Sequence, residues 1–210
     1  MDIKLKICGI TRREDLAFAV EAGADFIGFI FHESSPRHTT PENVAEITTG
    51  LPDRVKKTGV FVKQSVTQIK RIAEFCKLDI IQLHGPYTAE DAFSIGIEKV
   101  WKAFNFNDPD AIKESLNFPA DAVLADAMTV QKHGGTGLQC NWQAAAKVAA
   151  KRKVILAGGL NPENAIEAVK AVRPYAIDVN SGVEQAPGIK DLKLIARMAD
   201  TMEKIKGITL

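Results

Sequence analysis

Short apolar runs recur along the chain, each followed by a stretch whose apolar residues fall three or four apart. The runs that read as strands are residues 4–8, 26–31, 57–62, 80–83, 100–104, 122–125, 154–157 and 176–179. Most are continuously apolar rather than alternating, which is the pattern of parallel strands covered on both faces. The stretches between them open on helix-start signals. Thr11-Arg12-Arg13-Glu14 and Ser65-Val66-Thr67-Gln68 fit the capping box, in which hydroxyl and carboxylate or amide satisfy each other's unpaired N–H groups. Thr40-Pro41, Asp108-Pro109 and Asn161-Pro162 each set a cap residue before a proline at the first helical position, and Thr88 and Asn141 are plainer caps. A last helix over residues 191–206 shows its face in Leu192, Ile195, Ala196 and Ala199.

Eight strand–helix units of about 26 residues each predict an α/β fold, a (β/α)₈ barrel near the lower size limit of that architecture. The rival is an open doubly wound sheet, which the missing GxGxxG after the first strand weakens. A faint internal echo, Gly9-Ile10-Thr11 against Gly159-Leu160-Asn161, also favours the barrel. No linker or composition shift divides the 210 residues, so one domain over residues 1–210 is expected.

Charge narrows the function classes. The formal net charge is +1 with no basic stripe, so nucleic acid and membrane surfaces are not expected partners. Residues 1–6 alternate charged and apolar, so no secretory leader is expected, and no apolar run approaches the length needed to cross a bilayer. Three cysteines, Cys8, Cys76 and Cys140, form neither a CxxC pair nor a disulfide framework, which points to a reducing, cytoplasmic setting. The four histidines also lack metal-ligand spacing, and no metal or cofactor is expected.

In a barrel of this kind the chemistry sits where strands run into the following loops. Those positions hold Cys8-Gly9, Ser34-Ser35-Pro36-Arg37, His84-Gly85, Asp126, Gly134 to Gly137, Gly158-Gly159 and Asn180-Ser181-Gly182. Gly158-Gly159 and Ser181-Gly182 follow the seventh and eighth strands, where backbone N–H groups cradle a phosphate; tight turns are the plainer reading. Cys8 is either a small buried hydrophobe or a thiolate base. Asp126 is either a loop anchor or an acid whose pKa is raised by apolar surroundings. Asp178 lies within the eighth strand and serves a buried pairing or catalysis. Arg37 suits a substrate carboxylate or an ordinary surface pair, and His84 reads first as a loop-fixing imidazole. Cys76 and Cys140 read as packing residues.

Taken in order, KICGIT (6–11), GADFIGFIF (23–31), SPR (35–37), GVFV (59–62), QLHG (82–85), GGTG (134–137), LAGGLNPENA (156–165), DVNSGVE (178–184) and GIKD (188–191) resemble the phosphoribosylanthranilate isomerase family of tryptophan biosynthesis. The resemblance implies the barrel and a cofactor-free Amadori rearrangement of N-(5-phosphoribosyl)anthranilate to 1-(2-carboxyphenylamino)-1-deoxyribulose 5-phosphate. It implies Cys8 as general base, Asp126 as general acid and Arg37 as the grip on the anthranilate carboxylate. His84, Gly135, Gly137, Gly158, Gly159, Asp178, Ser181 and Gly182 would line the substrate site. Gly9 is expected to keep the space beside the thiol open. The acid and the base are expected to have pKa values pushed in opposite senses. The chain departs from the family pattern at Asn180, Ala125 and Cys140. Its partner is then a small phosphorylated substrate, with the chain a monomer or homodimer. A lyase or synthase of the same pathway, which calls for a catalytic lysine at a strand end, and a non-catalytic phosphate binder are the competing readings.

Overall fold

The computed structural model describes residues 2–127 and 140–208. Eight strands, β1 (Lys4–Cys8), β2 (Phe26–Ile30), β3 (Lys56–Phe61), β4 (Ile80–Leu83), β5 (Val100–Asn105), β6 (Ala122–Asp126), β7 (Val154–Leu156) and β8 (Ala176–Val179), pair in sequence order. All are parallel, and β8 returns to pair with β1, closing the barrel. The expected runs match these strands to within two residues at either end.

Alternation along each strand sorts the side chains. Leu5, Ile7, Ile27, Phe29, Val123, Ala125, Leu156 and Ile177 point outward into one continuous core with the helices. Fully burying one such aliphatic chain is worth about 1.5–3 kcal/mol, so this layer is the main source of stability. Their neighbours point inward. Phe26, Trp101, Ala103, Ala122, Leu124, Ile155 and Ala176 form a second cluster that plugs the lower barrel. Above it the interior turns polar, with Lys6, Thr58, Gln82 and Asp178 all buried.

The helices are α1 (Arg13–Glu21), α2 (Pro41–Ile47), α3 (Val66–Cys76), α4 (Ala89–Ile95), α5 (Pro109–Ser115), α6 (Trp142–Ala149), α7 (Ala165–Val172) and α8 (Leu192–Lys206). Ser65 and Gln68 form the expected capping box, and Thr40, Asp108 and Asn141 cap as expected. Thr88 does more than a plain cap, completing a box with Asp91.

Two starts differ from expectation. Thr11 caps nothing: α1 begins after Arg12, and the Thr11 hydroxyl donates to the Gly188 carbonyl at 2.7 Å. Arg12 takes over locally by reaching Asp15 through Nε and Nη2, at 3.0 and 2.7 Å. The start of α7 is delayed to Ala165 because Asn161 and Asn164 bond each other's backbone N–H, holding residues 161–164 as a capped turn. A feature absent from the sequence reading is a small hairpin after β8, β9 (Glu184–Ala186) paired antiparallel with β10 (Ile189–Lys190). Among the described residues no helix is long and apolar enough to cross a membrane.

Candidate active site

The polar upper barrel opens into a pocket at the C-terminal ends of the strands. It holds about 800 Å³ of empty space, open solvent included, and is lined by Cys8, Arg37, His84, Asp126, Gly158, Gly159, Asp178 and Ser181 among others. Eight of the expected site residues therefore meet in one place. Gly135 and Gly137 lie outside the described residues. Gly182 stands behind the wall: a Cβ there would meet the Leu160 carbonyl oxygen at 1.9 Å, so this glycine lets the β7 and β8 loops touch backbone to backbone.

Cys8 ends β1 beside Gly28 of β2, its register partner. A Cβ on Gly28 would sit 2.5 Å from Cys8 Sγ. The empty space beside the thiol is thus provided by Gly28 and not, as expected, by Gly9. Gly9 is a glycine for other reasons: its φ of +75° is left-handed, and a Cβ would meet Asn180 Oδ1 at 2.6 Å and Arg37 Cδ at 3.0 Å.

Two residues before Cys8, on the same inward face of the strand, Lys6 is fully buried. It donates to Asp178 Oδ2 at 2.7 Å. Burial works against the Lys6 ammonium, yet the Asp178 carboxylate and the Cys8 sulfur outweigh it and hold its pKa above the ordinary lysine value. Asp178 Oδ1 is buried with no protein partner among the described residues, an acceptor left available on a pocket-lining side chain.

Burial pushes the Cys8 thiol above the ordinary cysteine value, with the Lys6 ammonium opposing that rise. The Asp126 carboxyl is raised to about 6, again chiefly by burial, while the Ala127 N–H donating at 2.7 Å opposes the rise. The two groups are therefore shifted in the same sense, which corrects the expected divergence. The physical reason is that both are nearly dry, and the cation nearest the thiol is already committed to Asp178.

Arg37 makes no surface pair. Its side chain is 11% exposed and binds the buried Glu184 through Nε and Nη2, the shortest contact being 2.8 Å. The His84 ring lines the pocket, with Nε2 2.5 Å from Gln82 Nε2, so loop-fixing and pocket-facing roles coincide in one side chain. Gly158 and Gly159 have φ of +82° and +71°, and both line the pocket, so the tight turn and the exposed backbone are the same structure. All three cysteines are free thiols; Cys76 and Cys140 are packed away as expected. Among the described residues no group of three His, Cys, Asp or Glu side chains is placed to hold a metal ion.

Sequence reasoning passed over Lys6, Gly28, Glu184 and Lys190. All four stand within segments quoted for the resemblance, and Lys6 also carries a physical sign, a charge set between Leu5 and Ile7 in an otherwise apolar strand.

The family model described as N-(5'phosphoribosyl)anthranilate (PRA) isomerase matches residues 5–201. A curated relative named N-(5'-phosphoribosyl)anthranilate isomerase, from Geobacter sulfurreducens, is 45% identical over 98% of this chain and 99% of its own length. The crystal structure of phosphoribosyl anthranilate isomerase from Thermus thermophilus superposes with a TM-score of 0.88, at 37% identity over 97% of this chain and all of that one. A further isomerase structure, in complex with reduced 1-(o-carboxyphenylamino)-1-deoxyribulose 5-phosphate, matches with a TM-score of 0.85 and 35% identity, over 98% of this chain and all of the other.

Proposed function

The chain belongs to the N-(5'-phosphoribosyl)anthranilate isomerase family, and from that premise we propose that its barrel-mouth pocket carries out the Amadori rearrangement of N-(5-phosphoribosyl)anthranilate. The overall change is an internal oxidation and reduction of aldose–ketose type: C2′ goes from alcohol to ketone while C1′ gains hydrogen. Two proton transfers by the protein lead to the enolamine, and a further shift from the C2′ hydroxyl to C1′ completes the change. Asp126 donates to the furanose ring oxygen as the C1′–oxygen bond breaks and the anthranilate nitrogen becomes an iminium. That iminium acidifies C2′, and the Cys8 thiolate removes its proton to leave an enolamine, which tautomerises to the aminoketone.

The observation that supports this reading best is that Cys8 and Asp126 line one pocket from β1 and β6. A carboxyl with a pKa near 6 retains enough of its proton to serve as an acid close to neutral pH. Burial holds the Cys8 thiol toward its protonated form, so it has to release that proton to solvent before it acts as the base. Once the iminium forms, its positive charge beside Cys8 adds to that of Lys6 and favours the ionised sulfur at the step that uses it. Gly158, Gly159 and Ser181 offer backbone N–H groups for the substrate phosphate, and Arg37 offers a guanidinium for the ring carboxylate.

Following the fluorescence of freshly made phosphoribosylanthranilate tests the assignment. Cys8→Ser and Asp126→Asn are each expected to lower kcat by about 10²–10⁴-fold while the far-UV spectrum stays that of the parent. Near-normal turnover in either variant removes that residue from its role.

A further inference from the structure

The expected role of Arg37 leaves open what holds a long, flexible side chain in a fixed pose. Arg37 follows Pro36 in the loop after β2, whereas the group that binds it comes from the opposite direction along the chain. Glu184, the first residue of β9, has its side chain 4% exposed. Its Oε1 accepts from Arg37 Nε at 3.0 Å, from Lys190 Nζ at 2.9 Å and from the Gly188 N–H at 3.3 Å. Its Oε2 accepts from Arg37 Nε at 3.0 Å and Nη2 at 2.8 Å. Two parallel bonds to a planar guanidinium fix its plane as well as its place.

The β9–β10 hairpin brings this carboxylate to Arg37. Gly188, in the turn of the hairpin, lies against the loop that carries Arg37, where an added Cβ would stand 3.2 Å from the Pro36 carbonyl oxygen. Thr11 bonds the Gly188 carbonyl from the other side. Lys190, fully buried on β10, also donates to the backbone carbonyl and to Oδ1 of Asn180, both at 3.1 Å.

One feature turns this scaffold into a statement about the substrate. Arg37 lines the pocket while Glu184 and Lys190 do not, so the bonded Nε–Nη2 edge is the one turned from the cavity. Nη1 has no protein acceptor among the described residues. Lys190 shares the Glu184 carboxylate with Arg37, and burial lowers the Lys190 pKa from its ordinary value.

We propose that Glu184 is a positioning residue: it locks Arg37 with its free edge toward the pocket, in the pose from which Arg37 meets the ring carboxylate of the substrate. The proposal rests on the isomerase reading. Glu184 touches no reacting atom; it acts through Arg37.

The test compares binding of two ligands by calorimetry: the reduced carboxyphenylamino product analogue and its counterpart with an unsubstituted phenyl ring. In Glu184→Gln the carboxylated ligand should lose about tenfold or more in affinity while the phenyl ligand changes little, which narrows the preference between them. With phosphoribosylanthranilate, KM should rise by more than kcat falls. In an Arg37→Ala background, Glu184→Gln should alter the preference no further. Equal losses for both ligands would show a merely structural role, and an unchanged preference would show no role; either overturns the proposal. Should Glu184→Gln fail to fold, Glu184→Asp, which keeps the charge but shortens the reach, decides the matter by the same preference. Wild-type protein that does not turn over phosphoribosylanthranilate at all would instead sink the isomerase reading.

Discussion

In a Gly28→Ala variant the added methyl would stand 2.5 Å from Cys8 Sγ, with Cys8 Cα and Cβ at 3.0 and 3.1 Å. Ordinary contact begins near 3.4 Å, so the sulfur has to withdraw by about 0.9 Å. Backbone strain plays no part, because Gly28 is not among the residues with positive φ. The clash with Cα leaves rotation of the thiol as an incomplete escape, and the two strands must also part slightly. Overpacking of this kind costs about 1–3 kcal/mol of stability, which a barrel of this size should survive. Under the role proposed for Cys8, catalysis is far less tolerant: a displacement of about 1 Å at a reacting atom is worth roughly 10²-fold in rate. The expected result is a folded protein with a slightly lower midpoint in urea and kcat reduced by about two orders of magnitude. The assay pairs the fluorescence progress curve with mass-spectrometric measurement of iodoacetamide labelling at Cys8. Turnover within threefold of the parent, in a variant shown to contain alanine, would refute the claim that the thiol's position limits the reaction.

Two stability predictions follow from the same interior. Because the native pKa of Asp126 is raised to about 6 from 3.8, the folded protein binds more protons than the unfolded chain between those values. Stability from this group therefore falls as pH rises through that window, by up to about 3 kcal/mol. Asp126→Asn keeps an acceptor for the Ala127 N–H and should be more stable than the parent near pH 7 but not near pH 3.5; equal effects at the two pH values in urea titrations would contradict the linkage. Lys6→Met strands a buried Asp178 charge and should cost about 3–5 kcal/mol, much of it recovered by adding Asp178→Asn. Simple addition of the two single effects, with no recovery, would count against the pair.

What the amino-acid sequence reveals here tracks the range of the interaction. Strands covered on both faces announce themselves by unbroken apolar runs, and caps such as Ser65 and Asn141 act within three residues, so both were legible. Thr11 shows the limit. It satisfies a capping pattern, yet a carbonyl 177 positions away takes its hydroxyl once the hairpin docks. Strand-end position sufficed to bring Cys8 and Asp126 to one pocket, because barrel geometry gathers those ends whatever the loops contain. The residues that hold them could not be read in the same way. Gly28 matters through register with Cys8, and Glu184 through a bond to Arg37 across 147 positions. Neither relation has a local pattern. Glycine next to the cysteine in sequence was the natural candidate for the thiol's open space, but neighbours along a strand face opposite sides, and the space belonged to the neighbour across the sheet.

The contact between Gly182 and Leu160 bears on how this barrel can be re-engineered or diversified. With no room for even a methyl between the loops after β7 and β8, neither can be exchanged alone for a longer or differently bent version. The same holds at Gly85, where a Cβ would meet the Val62 carbonyl oxygen at 1.9 Å. Grafting experiments should therefore treat each such pair as one exchangeable cassette, on both sides of the barrel mouth.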